Sequence, residues 1–80
     1  MTKGEYRVGI NFNPSKDDNV GLIKRAAADL IDLIDTIAAS DGSDTVQVVE
    51  VLRLKELAKD AIEGGAMWAV KAATKPKWSV

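Results

Sequence analysis

The chain has no cysteine and no histidine, two prolines, and among its aromatics only two Trp, one Tyr and one Phe. Without cysteine there is neither a disulfide nor a thiolate metal site. Without histidine the commonest remaining transition-metal ligand and the commonest general base are gone as well. No charge sign dominates: 11 Lys+Arg face 12 Asp+Glu, for a net charge of −1. Duplex DNA calls for a clearly basic domain, so only a local basic patch is left open. No apolar run approaches the roughly 20 residues of a membrane-crossing helix. The start, Met1-Thr2-Lys3-Gly4-Glu5, lacks the apolar core of a signal peptide. These absences point to a cytoplasmic, non-enzymatic protein with no metal or cofactor, no DNA partner and no membrane segment.

Eighty residues make one small domain, and a chain of that size buries only about 60% of its unfolded surface. Small domains are rescued by disulfides, a structural metal or self-association. Self-association is what remains.

What is present is helical patterning. Residues 1–14 hold Gly4, Gly9, two Asn and Pro14 and read as an extended or irregular arm, with Tyr6, Val8, Ile10 and Phe12 alternating on one side. Ser15 is a candidate N-cap, with Asp18 as its capping-box acid. Val20, Ile23, Ala27, Leu30, Ile34 and Ile37 then follow the 3–4 spacing of a helix packed along another helix, predicting a first helix over 15–40. Leu22, Ile31, Leu33 and Ala38 widen that stripe beyond what one neighbour covers.

Ser40-Asp41-Gly42-Ser43 reads as a turn, and Asp44 caps a second helix with Gln47 at its third position. Val46 to Val51 is rich in β-branched residues, but Val51, Leu54, Ala58, Ala61, Gly65, Trp68 and Ala72 continue at helical spacing. The second helix therefore runs over 44–74, ahead of Pro76, and 75–80 is a tail. Gly64-Gly65 marks a kink or a close approach by another backbone or a ligand. The fold class is all-α: an antiparallel helical hairpin with a short N-terminal arm, assembling into a compact homo-oligomer.

Few residues offer chemistry. Asp29, Asp32 and Asp35 lie three apart and read as a solvated acidic face rather than metal ligands. Lys24-Arg25, near the start of the first helix, form either an ordinary exposed pair or a phosphate site beside helix N-terminal amides. Tyr6 and Phe12 are either plugs on the helical core or platforms for a nucleobase. Trp68 reads as core or subunit interface, and Trp78 as exposed or covering a neighbour.

Two blocks go further. Arg7-Val8-Gly9-Ile10-Asn11-Phe12-Asn13-Pro14-Ser15 and Ala66-Met67-Trp68-Ala69-Val70-Lys71, with Ile23-Lys24 and Ala28-Asp29-Leu30-Ile31-Asp32 between them, resemble the phage anti-CBASS sponges. That family shares its helical-hairpin domain with the anti-Thoeris sponges. The resemblance implies a hexamer, a trimer of dimers, that binds cyclic dinucleotides such as 3′,3′-cGAMP between protomers without cleaving them. It thereby keeps the signal from the host's CBASS effector. It also implies a base stacked on an aromatic of the arm, Phe12 or Tyr6, and a phosphate held by Lys24; Arg25 and Lys71 are the further candidate cations of this sequence. Many members hold cyclic trinucleotides in separate pockets. Here Ala26 stands where those pockets have threonine, and the only arginine of the second helix is the early Arg53. The alternative reading is a helical-hairpin oligomer that acts as a protein-interaction module.

Overall fold

The computed structural model describes residues 1–78 and contains three helices and, among those residues, no strand: α1 (Lys3–Val8), α2 (Asp18–Asp35) and α3 (Thr45–Ala73). Ser79 and Val80, the end of the expected tail, lie outside the described residues. The hairpin is antiparallel. Lys59 of α3 meets Asp35 at the C-terminal end of α2, while Lys71 shares a cleft with Lys24 near the start of α2.

The arm differs from expectation. Residues 3–8 are helical, because Thr2 and Glu5 form a complete capping box that outweighs the alternation of apolar residues. Glu5 N donates to Thr2 Oγ1 at 3.1 Å, and Thr2 N donates to Glu5 Oε1 at 2.7 Å. Gly4 is buried where α1 crosses α2. A Cβ there would stand 2.2 Å from the Ala28 carbonyl oxygen, so only glycine lets the two backbones meet.

α2 also starts and stops inside its expected span. Asp17, not Ser15, is the N-cap, accepting from Asn19 N at 2.8 Å. Ser15 is occupied with Asn13 and the Asp17 amide, and Lys16 sits at φ 57°, a left-handed backbone that no helix continues through. At the other end, the helix closes at Asp35 with Thr36 as cap. Lys55 of α3 donates to the carbonyls of Asp35 (3.1 Å) and Ile37 (2.5 Å). A cation from the facing helix thus satisfies carbonyls that a longer α2 would have used itself. The bounds of α3 follow expectation closely, with Asp44 accepting from Gln47 N at 2.8 Å, and Gly64-Gly65 lie within one uninterrupted helix.

The core is small and rotated from the expected seam. Val20, Lys24, Ala27, Ala28 and Ile31 are the buried residues of α2, and Lys59 is the buried residue of α3. Leu30 and Ile37, assigned to the seam by spacing, are exposed, as are Leu54 and Trp68 of α3. The reason is ionic: the faces that meet are held by Lys55 and Lys59 against the end of α2, and by Arg7 against α3. The three aspartates expected on a solvated face divide: Asp29 is exposed as expected, whereas Asp32 and Asp35 are partly covered. Asp29 pairs with Arg25, Asp32 accepts from Gly4 N at 2.8 Å, and Asp35 bonds Lys59 at 3.0 Å. Asp32 docks α1, and Asp35 docks α3, onto α2.

The surface left over is large. The chain exposes 6048 Å², against about 4,700 Å² for a compact protein of its mass. Val46, Val49, Leu52 and Leu54 are exposed in α3 ahead of Lys55, which meets the end of α2, and Leu57 is exposed just after it.

Candidate functional site

The site is built at the end of the hairpin where α1, the loop after it and the C-terminal third of α3 converge. Gly9 terminates α1 in the left-handed conformation (φ 65°, ψ 57°), and Ile10 N donates back to Glu5 O at 3.0 Å. The loop then tightens, with Phe12 N donating to Gly9 O at 2.9 Å and the Asn13 side-chain amide donating to Asp17 O at 2.9 Å. Short polar side chains that bond their own neighbourhood suit such a loop.

Lys24 rises from α2 beneath this loop. Its ammonium donates to Gly9 O at 3.0 Å and to Phe12 O, and lies 5.4 Å from the centroid of the Phe12 ring. Lys24 is only 8% exposed. The stem lies on the core as its place on the helix suggests, but the charge turns inward to the loop instead of standing free. Two of the three ammonium donors are thereby engaged within the chain.

A cleft of about 440 Å³ opens beside it, lined by Arg7, Val8, Phe12, Lys24, Glu63, Ala66, Met67, Val70 and Lys71. Ligand pockets span roughly 300–1,000 Å³ and are mostly apolar with a few polar groups, which describes this cleft. Three of the five residues singled out from the sequence, Phe12, Lys24 and Lys71, meet here. Phe12 is 72% exposed, so it is no plug on this chain's core. Tyr6, 78% exposed, does not line this cleft; it shares a smaller hollow of about 260 Å³ with Phe12, Gly9, Ile10 and neighbours. Arg25 is also outside the cleft, bonded to Glu5 (2.8 Å) and Asp29 (2.8 Å). Lys71 lies 5.5 Å from the centroid of the Trp68 ring, and Trp68 is 70% exposed, so it is no part of this chain's core.

Arg7 is the cation that sequence reasoning missed. Its guanidinium, mostly buried, faces three carboxylates on successive turns of α3: Glu63 at 3.0 Å, Asp60 at 2.8 Å and Glu56 at 3.6 Å. These bonds, Glu63's first, raise its pKa above the usual arginine value despite partial burial. Glu56, Asp60 and Glu63 stand at helical spacing, a signal present in the sequence, but the Arg7 partner emerges only once residues 3–8 are helical. Nearby, Lys59 is raised by its bonds to Glu56 and then Asp35, and Asp35 is lowered mainly by Lys59. Glu5 is lowered to about 2, first through its bond from Arg25.

Chemically, the cleft can stack a planar ring on Phe12 and hold anions beside lysine and arginine. Among the described residues there is no group of three or more metal-ligating side chains, and no helix is long and apolar enough to cross a membrane. A small helical hairpin that presents an aromatic platform next to cations has the makings of a binding module for a flat, anionic ligand. The comparison with protein families agrees with that class. Residues 4–74 match the family described as Acb2/Tad1, hairpin domain, and the chain belongs to this family, the phage nucleotide sponges of the anti-CBASS and anti-Thoeris kind. No curated protein and no solved structure matches the chain.

Proposed function

We propose that the protein sequesters cyclic dinucleotides such as 3′,3′-cGAMP, intact, inside the infected host's cytoplasm, and so starves the CBASS effector of its signal. The observation that supports this most is the cleft in which Phe12, Lys24 and Lys71 meet. Stacking contributes about 1–3 kcal/mol per base, and each charge-assisted phosphate bond about 1.5–3 kcal/mol. Neither requires a nucleophile or a base, which suits a chain without His or Cys.

The working unit is a homo-oligomer, a hexamer by family likeness. The roughly 1,300 Å² by which the chain exceeds a compact protein of its mass is of the size that a stable interface covers on each partner. A two-fold axis would present Phe12 and the lysines twice, matching the two bases and two phosphates of the ligand. A separate trinucleotide site has less support, because Ala26 stands where the family's pocket has threonine and the second helix offers only the early Arg53. The exposed valines and leucines of α3 would also serve a protein-interaction module, and one experiment separates the two readings.

Calorimetric titration with a panel of cyclic di- and trinucleotides should show saturable binding of cyclic dinucleotides. Denaturing the loaded protein should release them unchanged. A flat titration across the panel would favour the interaction module. Linear dinucleotide in amounts that scale with protein would reveal a nuclease.

A further inference from the structure

Resting on the sponge reading, we propose that Glu63 makes the cleft select for guanine: its carboxylate accepts the Watson–Crick-edge donors of a guanine base stacked against Phe12. An anion-binding cleft is a costly place for a carboxylate, because a ligand phosphate and the carboxylate repel each other. Glu63 nevertheless lines this cleft beside Lys24 and Lys71, with its side chain 35% exposed.

Arg7 does not account for the whole of it. Oε1 of Glu63 accepts from Arg7 Nε at 3.0 Å, which fixes the side chain, while Oε2 accepts no hydrogen bond among the described residues. Arg7 also has Asp60 and Glu56, and of the three carboxylates around it only Glu63 reaches the cleft. An ionised carboxylate offers about four acceptor positions, so Oε1 can keep Arg7 and still take part in a second bond.

Guanine presents two parallel donors on one edge, N1–H and the N2 amino group, which match the two oxygens of a carboxylate. Adenine presents its N6 amino group beside the N1 lone pair. One Glu63 oxygen would then accept while the other faced a second acceptor. The same carboxylate therefore attracts one purine and repels the other.

The test titrates the parent protein, Glu63→Gln and Glu56→Gln with 3′,3′-cyclic di-GMP and 3′,3′-cyclic di-AMP, alongside thermal melting. The parent should bind cyclic di-GMP about tenfold or more tightly than cyclic di-AMP, the discrimination of one good bidentate base contact. Glu63→Gln should weaken cyclic di-GMP, leave cyclic di-AMP unchanged or tighter, and so erase the preference. Glu56→Gln disturbs the same Arg7 cluster from outside the cleft and should keep the preference. Equal affinities in the parent would overturn the assignment without any variant needing to fold. Retained preference in Glu63→Gln, or equal loss of both ligands in both variants, would overturn it too and return Glu63 to a purely structural role. If neither ligand bound the parent, the sponge reading itself would fall.

Discussion

The two ends of this hairpin are stabilised by opposite means. At the end that carries the cleft, α1 is tied to α2 and α3 by ions: Arg25 to Glu5, Asp32 to Gly4 N, and Arg7 to three carboxylates of α3. At the other end, α3 leaves valines and leucines exposed between residues 46 and 54, where Arg53 pairs with Glu50 of the same helix, before Lys55 and Lys59 tie it to the end of α2. Directional bonds hold a shape against slippage, and a cleft needs its shape held. An apolar face carries no such instruction and is satisfied by whatever covers it. The cleft end has its backbone fixed by ions although Phe12, Met67 and Trp68 stay exposed there; the other end leaves an apolar face bare, and we propose that further copies cover it.

The sharpest way to break that contrast is Leu52→Glu. Glutamate is a good helix former, so on a free helix surface the change should stay within about ±0.5 kcal/mol. Where another copy covers Leu52, an unpaired charge is buried instead, and the cost should reach about 3 kcal/mol or more. Sedimentation should show the parent well above 8.6 kDa and the variant shifted towards monomer, with a lower melting temperature. A parent that sediments as a monomer would remove the oligomer from the proposal.

Lys24 sharpens the other side of the contrast. Removing it should harm the cleft end twice. It withdraws a cation from the ligand, and it leaves the Gly9 and Phe12 carbonyls without their ammonium. Lys24→Ala should therefore cost about 1–3 kcal/mol of stability through the lost charged hydrogen bonds and the buried stem, as well as weakening cyclic dinucleotide binding. The sequence alone suggests a mutation felt by the ligand and barely by the fold; burial of the ammonium reverses the second half of that expectation. Thermal melting and titration, run on Lys24→Ala and Lys24→Met, separate the two effects. Methionine restores the packed stem but not the bonds, so it should recover part of the stability and none of the binding. Unchanged affinity in both would move the phosphate contact to Lys71.

The same residue shows where sequence reading succeeds and stops. Helices α2 and α3 were legible because periodicity, an Asp cap and the Pro76 stop agree over long windows. α1 is not, since six residues are too few for periodicity, and the apolar alternation of residues 6–12 reads as an extended arm where the Thr2–Glu5 capping box in fact starts a helix. Missing α1 hid Arg7, and with it the reason for the carboxylates at 56, 60 and 63. Phe12, Lys24 and Lys71 could be nominated from the sequence, but their meeting depends on a loop whose turn at Gly9 and Lys16 follows from left-handed backbone. The inner faces of the hairpin were misjudged because apolar spacing cannot tell which of two stripes an ionic network will turn inward. Lys55 and Lys59, polar by type, lie on the face that packs.

The smallest expected effect is a response to acid confined to one end. Glu5 has a folded pKa of about 2 against an ordinary value of 4.5, owing first to its bond from Arg25. A carboxylate whose pKa is lower in the folded state binds fewer protons there than when unfolded. Its stabilising contribution is fully present above the unfolded value and is lost as the pH falls towards the folded one. For Glu5 that window lies between 4.5 and about 2. Glu5 is solvent-accessible, so salt should shrink the effect. In the exposed apolar stretch of α3, residues 46–54, the carboxylate is Glu50, lowered by Arg53 of the same helix, and protonating it severs no bond between helices among the described residues. Amide exchange followed from pH 5 to pH 2.5, corrected for intrinsic rates, should therefore show the amides of residues 5–10 losing protection before those of 48–57. Arg25→Gln should abolish most of the difference by removing the cause of the Glu5 shift. Simultaneous loss at both ends would mean that the ion pairs do not set the stability of the cleft end, and the division between the two ends would not hold.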